Sequence, residues 1–198
     1  MPILLLLLGL LQQKPAPAPP VQPAPGNPVV VIDTSAGPIT IELFKDQAPV
    51  SVENFLQYVQ DGFYEGTIWH RVVAGYVIQG GGYTAKLGEK PTRPPIQNEA
   101  TNGLSNRKGT VAMARTRAAR SATSQFFINL VDNPGLDHRG FAPDDFGYAV
   151  FGRVIDGWVA IDKIAAVKTT TTKDGMESVP ETPILIKSVT LAKPPGEK

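Results

Sequence analysis

The chain has 198 residues, a formal net charge of +1 and 42% hydrophobic residues, which is enough for one domain with a sizeable core. Its 19 basic and 18 acidic residues give no overall field that would recruit nucleic acid or an anionic membrane. With no cysteine and only two histidines, His70 and His138, the sequence excludes disulfides, cysteine ligation and a histidine-rich metal site, and we expect no cofactor.

An apolar run at residues 3–11 opens the chain, inside a signal-like segment that we place at residues 1–13. The run has the length of a signal-peptide core and is well short of the roughly 20 residues that span a bilayer. It therefore predicts export, to the periplasm or to a membrane-tethered state. No Lys or Arg precedes the run, and Pro19 follows the small-residue pair Ala16 and Ala18, a poor context for cleavage. A cytoplasmic location follows if the run is not a signal.

A segment of Pro, Ala, Gln and Gly covers residues 14–28 and carries no apolar periodicity. Such a composition favours extended polyproline II and cannot form a core, so we predict a disordered tether. The alternative is that the Pro-Ala repeat is a docking ligand for another protein. The folded domain is placed at residues 29–193, followed by a short tail at 194–198.

Two β runs and a helix begin the folded domain. Strands are predicted at residues 29–34 and 39–44, the second with alternating apolar and polar residues, and a Gly-Pro turn joins them. Pro49 then starts a helix that Gly62 ends. The apolar positions of this helix recur at i, i+3, i+4 and i+7, at Val52, Phe55, Leu56 and Val59. The spacing predicts an amphipathic helix.

Residues 68–82 form the next β region, a strand pair that turns near Gly75 and ends in three glycines. His70, Arg71 and Gln79 interrupt its apolar pattern. A guanidinium or amide buried without a partner costs several kcal/mol, so each must reach water or a partner. Spacing alone leaves two interpretations open: ordinary structural roles, or a concave face on which Arg71 and Gln79 project among apolar walls.

The rest of the chain alternates short β runs with polar loops and one further helix. We predict a long edge loop at residues 83–106 and a solvated arginine-rich loop at 115–121. Strands are predicted at 109–114, 125–130, 148–154 and 184–191, a helix at 156–166 and an exposed turn region at 169–175. Many short strands, two helices and no βαβ rhythm indicate a mainly β fold, an antiparallel barrel or sandwich.

Five sequence blocks resemble, in the same order, the signature blocks of the cyclophilin-type peptidyl-prolyl cis-trans isomerases. They are HRVVAGYVIQGG at 70–81, IQNEA at 96–100, GTVAMA at 109–114, SQFFIN at 124–129 and FGYAVFG at 146–152. The resemblance extends over residues 29–191 and is strongest to the short bacterial members. It implies a closed eight-stranded antiparallel barrel capped by two α-helices, and an isomerase, or rotamase, that assists the folding of proline-containing polypeptides.

The resemblance also implies roles for individual residues. Arg71 matches the arginine that donates to the nitrogen of the twisted X-Pro amide, and Gln79 matches the glutamine that holds that arginine and the peptide. The implied substrate-binding residues are Tyr76, Val77, Met113, Ala114, Arg115, Gln125, Phe127, Leu136 and Tyr148. Tyr76 and Val77 replace the Phe and Met of many relatives, and Tyr148 stands where many eukaryotic relatives have histidine.

Further expectations concern inhibitor binding and the neighbouring side chains. Gly135 stands where relatives that bind cyclosporin tightly have tryptophan, so we expect weak cyclosporin binding, and the family suggests a monomer. Because the reaction requires no base, His70 is interpreted as structural; His138 is expected to be exposed in a polar turn. Phe126 and Phe127 are adjacent in a strand and must face opposite sides, so we place Phe126 in the core and Phe127 in the pocket.

Two alternative functions belong to other classes. A proline-peptide-binding chaperone, or holdase, would use the same groove and have only incidental isomerase activity. A hydrolase would need a serine or aspartate beside one of the histidines, and the sequence lacks the G-x-S-x-G elbow of that class.

Overall fold

The computed structural model describes residues 22–192. The predicted signal-like segment at 1–13, most of the predicted tether and the tail at 194–198 lie outside these residues. Within the described part of the chain, no helix combines the length and the apolar character needed to cross a membrane.

The described residues form eleven short strands and two α-helices. In chain order they are β1 (Val29–Thr34), β2 (Gly37–Leu43), α1 (Pro49–Gln60), β3 (Thr67–Ile68), β4 (Arg71–Val73), β5 (Val77–Gly80), β6 (Thr110–Met113), β7 (Phe126–Asn129), β8 (Val150–Asp156), α2 (Trp158–Ala165), β9 (Thr169–Thr170), β10 (Val179–Pro180) and β11 (Leu185–Leu191). A 3₁₀ turn at Pro134–Leu136 precedes β8.

Nine of these strands make one antiparallel sheet in the order β3-β11-β1-β2-β8-β6-β7-β5-β4. Its two edge strands, β3 and β4, are separated in the chain only by Trp69 and His70. The sheet is therefore curled, and β3 and β4 counted together as one interrupted strand give eight strands. The predicted mainly β, antiparallel fold with two helices is confirmed.

Side-chain alternation divides the sheet into an inner and an outer face. On the inner face, Val72, Ile78, Ile128 and Val111 lie opposite one another on four neighbouring strands, and all are buried. Both helices add apolar side chains to this core: Val52, Phe55 and Tyr58 from α1, and Ala160, Ile161 and Ile164 from α2. Each such burial stabilises the fold by about 1.5–3 kcal/mol. The functional site described below lies on the outer face.

Three of the differences between the predicted and the observed element boundaries affect strand pairing or the site. The strand predicted at 148–154 begins only at Val150 and continues to Asp156. The turn region predicted at 169–175 includes a two-residue strand, β9, which pairs with β10. The second predicted strand, at 39–44, begins earlier, at Gly37. Gly37 has a φ of +128°, which lets the chain turn back and pair directly with Thr34.

Candidate functional site

A row of side chains crosses four strands on the outer face. Arg71 on β4 pairs with Gln79 on β5, Gln79 with Phe127 on β7, and Phe127 with Ala112 on β6. Directly paired residues of an antiparallel sheet project to the same face. The tight turn between β4 and β5 uses Gly75 with a φ of +71°, a conformation that favours glycine. The turn sets the register that places Arg71 on the same face as Phe127.

A cavity of about 250 Å³ opens on this row. Its lining residues are Arg71, Tyr76, Val77, Gln79, Ala114, Arg115, Phe127, Leu136 and Tyr148. The structure therefore brings together both residues implied to be catalytic and seven of the nine implied to bind substrate. The other two, Met113 and Gln125, lie outside this lining.

Strand alternation and a hydrogen bond explain the positions of Met113 and Gln125. Met113 follows the outward-facing Ala112, so it points inward and packs in the main core. Met113 therefore does not line the cavity, although the resemblance implied that it binds substrate. Gln125 accepts a hydrogen bond from Gln79 Nε2 at 3.0 Å. Gln125 thus helps to position the side chain of Gln79.

One wall of the cavity is apolar. A second hydrophobic cluster, called here the outer cluster, consists of Val77, Ala112, Ala114, Phe127 and Val150, with Phe44, Tyr76, Leu104, Leu136 and Tyr148 packed against it. The rings of Phe127 and Tyr148 meet edge to face with centroids 5.6 Å apart. Such a pair contributes roughly 0.5–1.5 kcal/mol beyond its buried area and holds both rings in fixed orientations.

Asn106 fixes the far wall of the cavity. Its Nδ2 donates to the carbonyl oxygens of Leu136, at 3.1 Å, and Tyr148, at 3.3 Å, and its backbone N–H donates to Asp137 Oδ1 at 2.7 Å. Tyr148 N–H also donates to the Leu136 carbonyl at 2.9 Å. Asn106 lies in the long loop, where no periodicity marks it, so sequence analysis missed this positioning role.

Arg115, predicted to rim the site and to bind substrate, lies in the cavity lining and is held there by several contacts. Its Nε donates to the Gly147 carbonyl at 2.7 Å, and its guanidinium lies 4.7 Å from the ring centroid of Tyr148. A further hydrogen bond of 3.0 Å joins it to the Pro143 carbonyl. Arg117, two residues on, forms an exposed ion pair instead. The prediction of a solvated loop fits Arg117, whereas Arg115 connects two walls of the cavity.

The charge at the cavity comes from arginine. No ion pair formed within residues 22–192 involves Arg71. Burial raises the pKa of the Tyr76 phenol, as does nearby Tyr148, while Arg71 partly opposes this rise. Burial also lowers the pKa of His70 to about 4, helped by the charge of Arg71 and opposed by Gln125 and the Ile68 carbonyl. At neutral pH both Tyr76 and His70 are therefore uncharged.

The two histidines occupy different surroundings. His70 is only 4% exposed and its ring packs 4.6 Å from that of Tyr83, as expected for a structural residue. His138 was expected to be exposed, but it is half-buried. Its Nδ1 is 2.8 Å from the Phe146 carbonyl and its ring contacts those of Phe141 and Phe146. These aromatic neighbours lie in the loop that precedes β8, which local polarity did not indicate.

The geometry supports binding and electrostatic stabilisation. The Arg71 guanidinium lies in the same cavity as side chains of the outer cluster, and the nearest histidine is neutral and buried. Within residues 22–192 no cluster of three or more histidine, aspartate or glutamate side chains is placed to hold a metal ion. Fold and site together define a mainly β protein whose outer-face cavity brings two arginine side chains, Arg71 and Arg115, beside an apolar wall.

Comparisons with known proteins agree with this description. Residues 29–191 match the model of the cyclophilin type peptidyl-prolyl cis-trans isomerase/CLD family. The chain is 51% identical to peptidyl-prolyl cis-trans isomerase A of Dickeya dadantii over 83% of its own length and 84% of that protein. It is 48% identical to isomerase B of Escherichia coli over 83% of its length and all of that protein.

Solved structures show the same fold. The crystal structure of a cyclophilin type peptidyl-prolyl cis-trans isomerase of Cryptosporidium parvum aligns with a TM-score of 0.70 and 26% identity, over 85% of this chain and 99% of that one. A second crystal structure of that protein, in the presence of the dipeptide Ala-Pro, aligns with a TM-score of 0.69. The chain belongs to the cyclophilin-type peptidyl-prolyl cis-trans isomerases. It is an enzyme that exchanges the cis and trans forms of X-Pro bonds.

Proposed function

We propose that the cavity between Arg71 and Phe127 is the site at which this isomerase rotates X-Pro bonds of polypeptides, with Arg71 as the catalytic residue. One observation carries this assignment: Arg71 and Phe127 line the same cavity, although they are far apart in the sequence. The apolar wall suits a pyrrolidine ring, and the guanidinium lies where the adjoining amide would be held.

The chemistry requires a change of amide geometry and no change of covalent bonds. Resonance gives the C–N bond a rotation barrier of about 18–20 kcal/mol, and uncatalysed X-Pro exchange takes tens to hundreds of seconds. The enzyme must bind the twisted amide better than either planar form. Each tenfold gain in rate requires about 1.4 kcal/mol of that preference.

Arg71 supplies this preference through a donor that gains strength at the transition state. Twisting ends the conjugation and leaves the proline nitrogen with a lone pair that can accept a hydrogen bond. A guanidinium stays protonated at all working pH values and offers five N–H donors in a rigid fork. Gln79, paired with Arg71 across the strands and bonded to Gln125, keeps the donor side of the cavity in register.

The apolar wall holds the ring while the preceding carbonyl swings. Phe127, Leu136 and Tyr148 form that wall, and the contacts of Asn106 and Arg115 prevent it from relaxing. The peptide on either side of the proline is received at Ala114 and Arg115. The Ala114 N–H already donates to the Gln125 carbonyl at 2.9 Å, so its carbonyl and the Arg115 N–H serve the substrate.

The Arg71 assignment predicts a large and selective kinetic loss. Arg71→Ala should lower kcat on a short Ala-Pro peptide by roughly 10²–10³-fold, the usual effect of removing one transition-state donor, with a modest change in peptide affinity. Exchange NMR with catalytic amounts of protein measures the rate, and peptide titration measures the affinity. Arg71→Lys, which keeps the charge and loses the planar fork, serves as the matched control and should recover only part of the rate.

The same experiment separates the isomerase from the holdase alternative. If kcat/KM and affinity fall by equal factors in Arg71→Ala while kcat is unchanged, the arginine binds ground state and transition state alike, and the groove is a peptide-holding site. A loss confined to kcat supports the assignment made here.

The cellular setting is also part of the proposal. The apolar run at residues 3–11 supports export, so the enzyme would act on polypeptides that fold in the periplasm or beside the membrane. We expect the mass of the chain recovered from an exporting bacterium to correspond either to removal of the signal-like segment at residues 1–13 or to a retained anchor in the membrane fraction. Recovery of the intact chain from the cytoplasmic fraction alone would contradict export.

Two finer expectations concern inhibitors and assembly. Gly135 lies in the exposed 3₁₀ turn and offers no side chain to the cavity rim, which supports weak cyclosporin binding. Membership of the family supports a monomer.

A further inference from the structure

The chain just before β1 is fastened to the outer face by Glu42. This carboxylate is buried and sits on β2, where its Oε1 accepts hydrogen bonds from Ala24 N–H and Asn27 Nδ2, both at 2.8 Å. Its Oε2 accepts from Arg153 Nε on β8 at 2.7 Å. These bonds lower the pKa of Glu42 although its burial acts to raise it. Residues 24–27, assigned to the tether from composition alone, are thus held at a defined point of the domain.

That point lies on a second row of outward-facing residues, which crosses the sheet to Val77 at the cavity. Glu42 pairs with Arg153, Arg153 with Thr110, and Asn129 Nδ2 donates to Thr110 Oγ1 at 2.9 Å. Asn129 in turn pairs with Val77, which lines the cavity. Four strand spacings of about 4.8 Å separate Glu42 from Val77, so the path over the outer face is roughly 19 Å.

Apolar side chains border this path. Phe44, two residues after Glu42 on the same face of the chain, belongs to the outer cluster, as do Leu104 and Val150. The cluster continues from there to Phe127 in the cavity. Proline-rich segments in the polyproline II form dock on apolar, aromatic surfaces of this kind because they lose little conformational entropy.

The sequence that precedes the fastened residues contains two Ala-Pro bonds, Ala16-Pro17 and Ala18-Pro19. Polyproline II advances about 3.1 Å per residue. In that form, Pro19 would lie roughly 15 Å from Ala24, and Pro17 roughly 22 Å from it. These two distances bracket the path from Glu42 to the cavity.

We propose that the Ala-Pro repeat at residues 16–19 binds in the cavity of its own chain, where it is isomerised and competes with other polypeptides. This inference rests on the proposed site between Arg71 and Phe127. The bonds of Glu42 set the point from which the repeat reaches, and the row from Glu42 to Val77 connects that point to the cavity. No covalent bond changes, since the repeat is released in either isomer.

The tether makes this binding effective even if its intrinsic affinity is low. A short connection gives an effective concentration on the order of 1 mM, and the value is highest when the length of the connection matches the span. For a peptide Kd of about 1 mM the repeat would then occupy roughly half of the sites. Only polypeptides presented at comparable local concentration, or bound more tightly, would displace it.

The first test measures the repeat itself in the full chain. Exchange NMR on isotope-labelled protein should show cis and trans signals of Ala16-Pro17 or Ala18-Pro19. These signals should interconvert at a rate at least 100-fold higher than that of a free X-Pro bond, which takes tens of seconds or longer to exchange. The rate should not depend on protein concentration, and Arg71→Ala should abolish the acceleration.

The second test measures competition. The double variant Pro17→Ala, Pro19→Ala should lower KM for a free Ala-Pro peptide about twofold and leave kcat unchanged. Asn27→Ala, which removes one hydrogen bond to Glu42, should slow exchange in the repeat and leave kcat for free peptide intact. Pro194→Ala, at a proline that follows lysine near the other end of the chain, is the matched control and should change neither.

The outcomes distinguish this inference from the site assignment. Turnover of free peptide with slow exchange in the repeat would overturn the inference and leave the site intact. Exchange in the repeat that rises in proportion to protein concentration would also overturn it, because binding would then occur between molecules. Slow exchange in both the repeat and the free peptide would show that the proposed site itself is wrong.

Discussion

His70 and Arg71 are neighbours in the chain but differ in burial and in charge. Arg71 is half-buried and charged at the cavity, while His70 is 4% exposed and its Nδ1 has no hydrogen-bond partner within the described residues. Burial holds the pKa of His70 near 4, below the usual value of about 6.5. Because isomerisation transfers no proton, the ionisation of His70 affects the stability of the fold and not the chemical step.

The lowered pKa of His70 predicts an acid-sensitive fold. Between pH 6.5 and 4 the unfolded chain binds a proton at this histidine and the folded chain does not, so the free energy of unfolding falls as pH falls. The contribution is fully present above pH 6.5, and its loss by about pH 4 amounts to on the order of 3 kcal/mol at 1.4 kcal/mol per pH unit. Urea unfolding at pH 7 and pH 5 measures the slope.

Replacing each histidine in turn isolates this effect. His70→Gln should flatten the dependence between pH 7 and 5, whereas His138→Gln should keep it. The lowered pKa of Glu42 adds a further loss only at lower pH, below about 4.5. Superimposable curves for the parent chain and His70→Gln across pH 5–7 would contradict the assignment.

At the scale of elements, local pattern predicted the longer pieces well. The alternation of β1 and β2, the helical spacing of α1 and α2 and the opposite faces of Phe126 and Phe127 all follow from periods of 2 and 3.6 residues. Strands β3, β9 and β10 have two residues each, too few to show any period. They form because distant segments offer hydrogen bonds to them.

The site was predictable in part, because local alternation fixes the face of each strand residue but does not record contacts between distant segments. Register and strand alternation place Arg71, Gln79 and Phe127 on one face, and motif order identifies them. The contacts of Arg115 with Gly147 and of Asn106 with Leu136 join segments that are about 30 residues apart. No local pattern records such contacts, so these positioning residues emerge only from the three-dimensional structure.

Gly147 shows how the loop before β8 is coupled to the cavity. It has a φ of +78°, and its carbonyl accepts hydrogen bonds from Arg115 Nε at 2.7 Å and Asn98 Nδ2 at 3.1 Å. An added Cβ would lie 2.6 Å from the backbone nitrogen of His138, which cannot move aside freely. A side chain at this position must therefore displace the loop that carries one wall of the site.

We predict that Gly147→Ala destabilises the protein and damages the site. The positive φ alone costs about 1 kcal/mol, and forcing the Cβ against backbone adds about 1–3 kcal/mol. Because the Arg115 contact shifts as well, kcat/KM for an Ala-Pro peptide should fall at least tenfold. Gly103→Ala is the matched control, with a φ of +80° and no atom within 4 Å of the added Cβ. It should cost about 1 kcal/mol and leave kcat/KM unchanged.

At the scale of the whole molecule, the curled sheet separates stability from catalysis. Its inner face and the two helices share one core, while the outer cluster packs around the cavity. The two meet at adjacent residues of β7. Phe126 contacts the rings of Phe55, Tyr64 and Trp69 at centroid distances of 5.4–5.6 Å, and Phe127 contacts Tyr148. One strand therefore serves both functions with alternate side chains.

This separation predicts opposite phenotypes for two neighbouring substitutions. Phe126→Ala should lower the free energy of unfolding by about 3–5 kcal/mol, because it leaves a closed cavity in the core. Phe127→Ala enlarges a cavity that is already present at the surface, so its cost in stability should be smaller than that of Phe126→Ala. Loss of the ring wall should nevertheless reduce kcat/KM at least tenfold, equivalent to about 1.4 kcal/mol of transition-state binding. Urea unfolding and peptide exchange, measured on the same samples, test both statements.

If Phe126→Ala does not fold, Phe126→Leu keeps most of the volume and should still lose stability with normal turnover. Equal effects of the two substitutions on stability and on kcat/KM would show that core and site are not separable in this fold.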